Sequence, residues 1–226
     1  MIIGLLIGLI VCVSDSMSAP ESQTKSRVII MGLDDTGSYT LWEDAKKFAA
    51  MIVFQMVPGD IFYLRRITAT SYSDDCTLFR LELPEAQVIE SNNPYDRVAK
   101  KKRKIAAYRI HHLKKLALRE IAMLQTTGAK KTDIQGFLAV ATEKFAAQDS
   151  NHHRLLLIAS DLQENVRYAP ELNLKDVRVA VVGFQPLPNP KKTQNLKKYW
   201  TKYFSNLGAR RTQFIRADEN IQLERL

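Results

Sequence analysis

The chain has 226 residues, 46% of them hydrophobic and 25% charged. That composition excludes a disordered, collagen-like or repeat-array protein and suits one α/β domain of ordinary size with a short tail. Lysine and arginine outnumber aspartate and glutamate by 33 to 24, a formal net charge of +9, which permits attraction to nucleic acid, anionic lipid or acidic protein without selecting among them. Two cysteines, Cys12 and Cys76, are too few for a disulfide framework, and no Cys/His spacing suggests zinc.

Met1 to Val13 carry no charged side chain. The run is shorter than the roughly 20 apolar residues a membrane span needs, and it fits the apolar core of a secretory signal. The Ser-rich stretch Ser14 to Ser26 that follows reads as a linker. An apolar run, a cysteine and a polar tether together resemble a bacterial lipoprotein N-terminus with Cys12 as the lipidated residue, although Val11 departs from the small residue that pattern wants. Export, a membrane-held signal and a buried strand of a cytosolic protein stand beside it as readings. The expected division is a signal or anchor segment with linker over 1–22 and one domain over 23–226.

Arg27 to Leu33 is apolar almost throughout and β-rich, as a central strand buried on both faces would be. A helix follows, with Thr40 and Glu43 as a capping box and Ala45, Phe48, Ala49, Ile52, Val53 and Met56 at helical spacing. Ile61–Leu64 and Thr77–Leu83 predict two strands joined as a hairpin at a sheet edge. Asn92-Asn93-Pro94 predicts the start of a long helix to about Gln125, striped by Val98, Ile105, Ala106, Ile110, Leu113, Ala117, Ile121 and Leu124. Thr132-Asp133-Ile134-Gln135 opens another helix, Arg154–Ser160 and Val177–Gly183 are buried strands, and Leu196, Tyr199, Trp200, Tyr203, Phe204 and Leu207 stripe a last helix. Arg211–Ile215 closes the chain as an edge strand. Strands alternating with helices imply right-handed crossovers and a largely parallel sheet, whose ligands bind at the carboxyl ends of the strands where strand order reverses.

Asp34-x-Thr36-x-Ser38 stands just past the first buried strand, Asp161 just past a later one, and Thr132 at the head of the helix between them. Two carboxylates and three hydroxyls make an all-oxygen set, which suits a hard cation. Taken singly, each has a plainer reading: Thr132 with Gln135 as a capping box, Asp34 and Asp35 as turn residues, Asp161 as a helix cap. Taken together they resemble the metal-ion-dependent adhesion site of von Willebrand factor A (VWA) domains, with Thr36 in place of the middle serine of that family's DxSxS. The run Asp161-Leu162-Gln163 lacks the glycine that often follows the aspartate there. The resemblance covers about Ser26 to Ala217. It implies a doubly wound, Rossmann-like, mostly parallel six-stranded sheet with one antiparallel edge strand and helices on both faces. It also implies that Thr36, Ser38 and Thr132 coordinate Mg²⁺ (or Mn²⁺ or Ca²⁺), directly or through water, with Asp34 and Asp161 supporting the ion. An Asp or Glu of a partner protein would complete the shell.

Gly32-Leu33-Asp34-Asp35-Thr36 also brushes against the DxDxT motif of haloacid-dehalogenase-like phosphatases, but Gly32 stands where the nucleophilic carboxylate is needed. No GxSxG elbow, Walker loop or GxGxxG fingerprint is present, so a non-enzymatic interaction module is expected. The long helix is crowded with Arg97, Lys100, Lys101, Lys102, Arg103, Lys104, Arg109, Lys114, Lys115 and Arg119. It reads either as a solvated outer face or as a docking surface for anionic lipid head groups, an acidic protein or nucleic acid, the first two favoured over nucleic acid if the chain is exported and nucleic acid gaining weight if it is cytosolic. The alternative function is therefore a basic nucleic-acid- or membrane-binding protein whose metal site is vestigial. Expected localisation is periplasmic or otherwise extracytoplasmic, with the cytoplasm as the alternative. The adjacent pairs His111-His112 and His152-His153 do not share a helix face or a metal-ligand spacing.

Overall fold

The computed structural model describes residues 25–85, 96–148, 151–166, 171–219 and 221–226. The N-terminal segment with Cys12, and the Asn92–Pro94 helix start, lie outside the described residues. The elements in chain order are β1 (Arg27–Asp34), α1 (Trp42–Gln55), β2 (Ile61–Ile67), β3 (Thr77–Glu82), α2 (Arg97–Met123), α3 (Ile134–Ala146), β4 (His153–Ala159), β5 (Val177–Val182), α4 (Pro190–Asn206) and β6 (Arg211–Ile215).

They form one six-stranded sheet in the order β3-β2-β1-β4-β5-β6. Every neighbouring pair is parallel except β2–β3, the antiparallel hairpin at the edge. This is the expected doubly wound architecture. Strand order reverses between β1 and β4, whose register aligns Leu33 with Ala159, so the ends of these strands flank the crevice where such sheets bind ligands.

Alternate residues of β1 face opposite layers, as the pleat requires. Ile29, Met31 and Leu33 join a core covered by α1 and α2, while Val28 and Ile30 join one covered by α3 and α4. All six apolar positions expected to face the sheet from α1 and its end are buried. The aromatic stripe of α4 behaves likewise at Trp200 and Phe204, with Tyr203 half-buried, but Tyr199, expected in the same stripe, is exposed because it stands about 100° round the helix from Trp200. Ile221, Leu223 and Leu226, to which the sequence reading assigned nothing, join the core that α1 and α2 cover.

Three helix starts differ from expectation. Thr40 does not cap α1: its hydroxyl pairs with Gln185, and the cap position, Leu41, makes no side-chain bond. Helix α2 begins at Arg97, where Asp96 accepts from the backbone N–H groups of Val98 and Ala99. Helix α3 is capped by Asp133, not Thr132; the Asp133 carboxylate accepts from Gly136 N–H at 2.8 Å. Only glycine suits position 136, because a Cβ there would collide with that carboxylate.

Candidate metal centre at the strand ends

Strand β1 delivers Asp34 to the crevice with both oxygens engaged. One accepts from the Thr36 backbone N–H at 3.1 Å and the Thr36 hydroxyl at 2.7 Å. The other accepts from the Ser160 hydroxyl, 2.5 Å away at the end of β4. Because Thr36 spends its proton on Asp34, the lone pairs of its oxygen are left for the other side. There it lies 3.1 Å from Ser38 Oγ and 3.3 Å from Thr132 Oγ1. The three hydroxyls named from the sequence therefore converge, with Thr36 in the middle. Thr36 and Thr132 are buried and Ser38 is exposed, so the cluster opens to solvent on the Ser38 side.

Thr132 reaches this point because two latches hold its loop, one to the end of β1 and one to the loop after β4. The first latch is Asp35, a residue the sequence left as a turn former. Its carboxylate accepts from the hydroxyls of Thr126 and Thr127, from Thr127 N–H at 2.8 Å, and from Arg66. Thr36 and Ala129 form a parallel bridge beside it. Burial pushes the Asp35 carboxyl up, but these hydrogen bonds together outweigh it and hold the group below its ordinary value. The second latch is Asn165, whose side chain accepts from Thr132 N–H at 2.8 Å while its own N–H donates to Thr132 C=O. Gln135, the supposed partner of Thr132 in a capping box, bonds instead to Glu164 through both its backbone and side-chain N–H groups. Relieved of capping, the Thr132 hydroxyl is free to face Thr36.

Asp161 caps no helix either. It is followed by a loop in which it accepts from the backbone and side-chain N–H groups of Gln163, with Leu162 at a positive φ of 61°. Asp34 and Asp161 are 1% and 2% exposed. Burial raises the Asp34 carboxyl above its ordinary value; hydrogen bonds from Ser160 and Thr36 offset part of this, and the charge of Asp161 adds to it. Burial, then the charges of Asp34, Asp44 and Asp161, push the Tyr39 phenol far upward, so it stays protonated and donates to Gly183 C=O.

Among the described residues, no Lys or Arg forms an ion pair with Asp34 or Asp161. Nor does any group of three His, Cys, Asp or Glu side chains converge there as a metal cage. What converges is hydroxyl oxygen backed by uncompensated buried carboxylate. That donor chemistry fits a hard divalent cation, which prefers oxygen ligands and keeps part of its shell for water or an incoming group. Ser160, Asp35 and Asn165 are the site residues that sequence reading missed. Ser160 carried one weak signal, a hydroxyl at the last position of a buried strand; the other two carried none.

No family model matches the chain, and no curated protein matches it. Among solved structures it is similar to proximal thread matrix protein 1 from the mussel byssus, at 12% identity over 86% of this chain with a TM-score of 0.47. It is similar to a von Willebrand factor type A protein from Catenulispora acidiphila, at 14% identity over 84% of this chain with a TM-score of 0.48. A third is an aerotolerance-related membrane protein from Bacteroides fragilis, at 12% identity over 86% of this chain and 92% of that one, with a TM-score of 0.48. The chain spans 45% of the mussel protein and 38% of the Catenulispora one. Its own sheet order, with one antiparallel edge strand and the hydroxyl cluster at the switch point, makes the fold VWA-like.

Proposed function

We propose that this chain is a non-enzymatic, metal-dependent interaction module that binds an acidic residue of a partner protein through a divalent cation held by Thr36, Ser38 and Thr132. The observation that carries this reading is the meeting of those three hydroxyls at Asp34, a buried carboxylate without a basic partner, with the likewise unpaired and buried Asp161 close enough to act on Asp34 through its charge. Asp34 orients and polarises the Thr36 hydroxyl, and Ser160 holds Asp34 in place. Asp161 adds negative charge, and the exposed Ser38 side is the approach for the partner. When bound, the cation supplies the positive charge that a partner's Asp or Glu would meet. Mg²⁺ is the first choice, with Mn²⁺ and Ca²⁺ as alternatives.

A phosphatase reading is opposed by the geometry at Gly32. A Cβ there would lie 2.8 Å from Ile67 and from Phe137, so the position faces packed core and not the crevice. A carboxylate at this position would have no path to a substrate. The uncharged run Met1 to Val13 favours a place outside the cytoplasm or at its membrane. No helix among the described residues is long and apolar enough to cross a membrane.

Thermal unfolding of the full chain with and without millimolar Mg²⁺ or Mn²⁺ tests the reading, beside an Asp34→Ala variant. A ligand confined to the folded state, at roughly a hundred times its Kd, stabilises by about 2.7 kcal/mol, which for a domain of this size raises Tm by about 5 to 10 °C. The wild type should show that rise and the variant should not. Equal responses from both proteins, or none from the wild type, would overturn the metal site.

A further inference from the structure

Helix α2 carries ten basic residues and a single acid, Glu120, so it holds a net +9. That equals the net charge of the whole chain, and the remaining residues balance at 23 basic to 23 acidic. The charge asymmetry of this protein is therefore the property of one helix on one flank of the domain.

The same helix exposes apolar side chains. Its inner face, through Ala99, Ala117 and Ile121, packs toward α1 and β3. A second line of residues does not. Val98, Ile105, Leu116 and Met123 are 65%, 57%, 46% and 65% exposed. Their spacings of seven, eleven and seven residues bring them within about 20° of one another around an α-helix. Tyr108, also exposed, lies next to this line. Lys101, Lys102, Arg109, Lys115 and Arg119 flank it, all exposed. The helix is thus amphipathic twice over, with one apolar stripe for the domain and a second for something outside it.

We propose that this outer face of α2 lies on an anionic lipid surface, with the apolar line entering the headgroup boundary and the flanking lysines and arginines meeting lipid phosphates. Basic residues along both sides of an apolar line are what an interfacial helix requires. A second copy of the chain is disfavoured as the occupant, because two helices of charge +9 would be brought face to face. Nucleic acid would use the charge but leave four aliphatic side chains against a polar backbone. The stripe runs nearly the whole length of α2, about 37 Å at 1.5 Å per residue, so the domain would lie with this helix along the bilayer plane. The inference is independent of the proposed metal centre, which sits at the strand ends.

Flotation of the full chain with vesicles tests it, comparing pure phosphatidylcholine with phosphatidylcholine containing phosphatidylglycerol. The run Met1–Val13 is uncharged, so any contribution from it is the same on both vesicles, and the readout is the difference between them. Three proteins are compared: the wild type, a charge variant (Lys101→Glu, Lys102→Glu, Arg109→Glu) and an apolar variant (Val98→Ser, Ile105→Ser, Leu116→Ser, Met123→Ser). All altered positions are exposed, and an unchanged melting temperature confirms that each variant folds. The wild type should bind anionic vesicles at least about tenfold more tightly than neutral ones, and lose that preference between about 0.05 and 0.5 M salt. Both variants should lose about tenfold or more of the anionic binding, the apolar one with its net charge unchanged. Chelator and Asp34→Ala should leave binding as it was. Equal binding to both vesicles overturns the proposal. So does an apolar variant that keeps full anionic binding while short duplex DNA competes it away, which would make the face a nucleic-acid surface. Concentration-dependent dimers lost in the apolar variant, without lipid preference, would overturn it in favour of a second copy.

Discussion

The two ends of strand β1 treat buried acid in opposite ways. At the N-terminal end, Asp60 is fully buried and Arg27 lies against it, with its guanidinium 2.6 Å from Asp60 Oδ2 and its backbone N–H 2.8 Å from Oδ1. Val57 N–H supplies a further donor. At the C-terminal end, seven residues along the same strand, Asp34 is as deeply buried and meets only hydroxyls and one backbone N–H. Even the adjacent Asp35 has its arginine. A buried carboxylate without a cation is costly. The fold gives Asp60 and Asp35 an arginine, satisfies the buried cap Asp133 with the backbone N–H groups of Ser71 and Gly136, and leaves Asp34 and Asp161 without a basic partner where a ligand would approach.

Removing a structural acid should have the largest effect on stability. Asp60→Ala strands Arg27 in the interior, and urea unfolding should register a loss of about 3 to 5 kcal/mol that metal does not change. If the loss were under about 1 kcal/mol, the pair would not be the anchor described here. Asp35→Asn comes next. Whichever way its new amide turned, the NH₂ group would face one group that only donates, Arg66 or the Thr127 backbone N–H, at a cost of about 2 to 3 kcal/mol. It should also weaken cation binding by about 10- to 100-fold although Asp35 is not a ligand, because it steadies the loop that carries Thr132. Calorimetric titration with Mn²⁺ measures the second effect, and unchanged affinity would show that the latch does not govern the site.

Asp34→Asn sharpens the contrast with Asp60. In chelator, this nearly isosteric change removes an unpaired charge and keeps an acceptor for Thr36, so stability should move by no more than about 1 kcal/mol. The stabilisation by metal should disappear. A loss in chelator as large as that of Asp60→Ala would mean that both acids are structural. Smallest of all is Thr132→Ser, which keeps the hydroxyl. It should change stability by less than about 1 kcal/mol and preserve the metal response, whereas Asp133→Ala removes the helix cap and should cost about 1 to 2 kcal/mol. A Thr132→Ala variant that melts like the wild type in chelator but no longer responds to metal would separate the two neighbours' roles.

Much of the candidate site was legible because hydroxyls and carboxylates stood at the ends of apolar runs, in an order that a parallel sheet folds together. Thr132 illustrates what was not legible. In the sequence it competes with Asp133 for the cap of α3, and Thr132 with Gln135 is the more familiar pattern. The contest is settled by Glu164 and Asn165, which take Gln135 and the Thr132 backbone and stand about 30 residues away. The α2 stripe is a second instance. Val98 and Ile105 stand seven apart and read as part of one apolar stripe with the buried positions, yet they lie at least about 100° round the helix from Ala117 and Ile121 and project outward while those two pack inward.

Local patterning by itself determined the six strands, the buried face of α1 and the candidate set of five oxygen-bearing residues beside the strand ends. Each of these depends on burial periods and side-chain chemistry within a short window. Only the tertiary structure decided which aspartates receive an arginine, which hydroxyl faces the crevice and which side of α2 meets the domain. Those outcomes rest on contacts between residues far apart in the chain, where the partner that arrives decides whether a polar group is neutralised or left for a ligand.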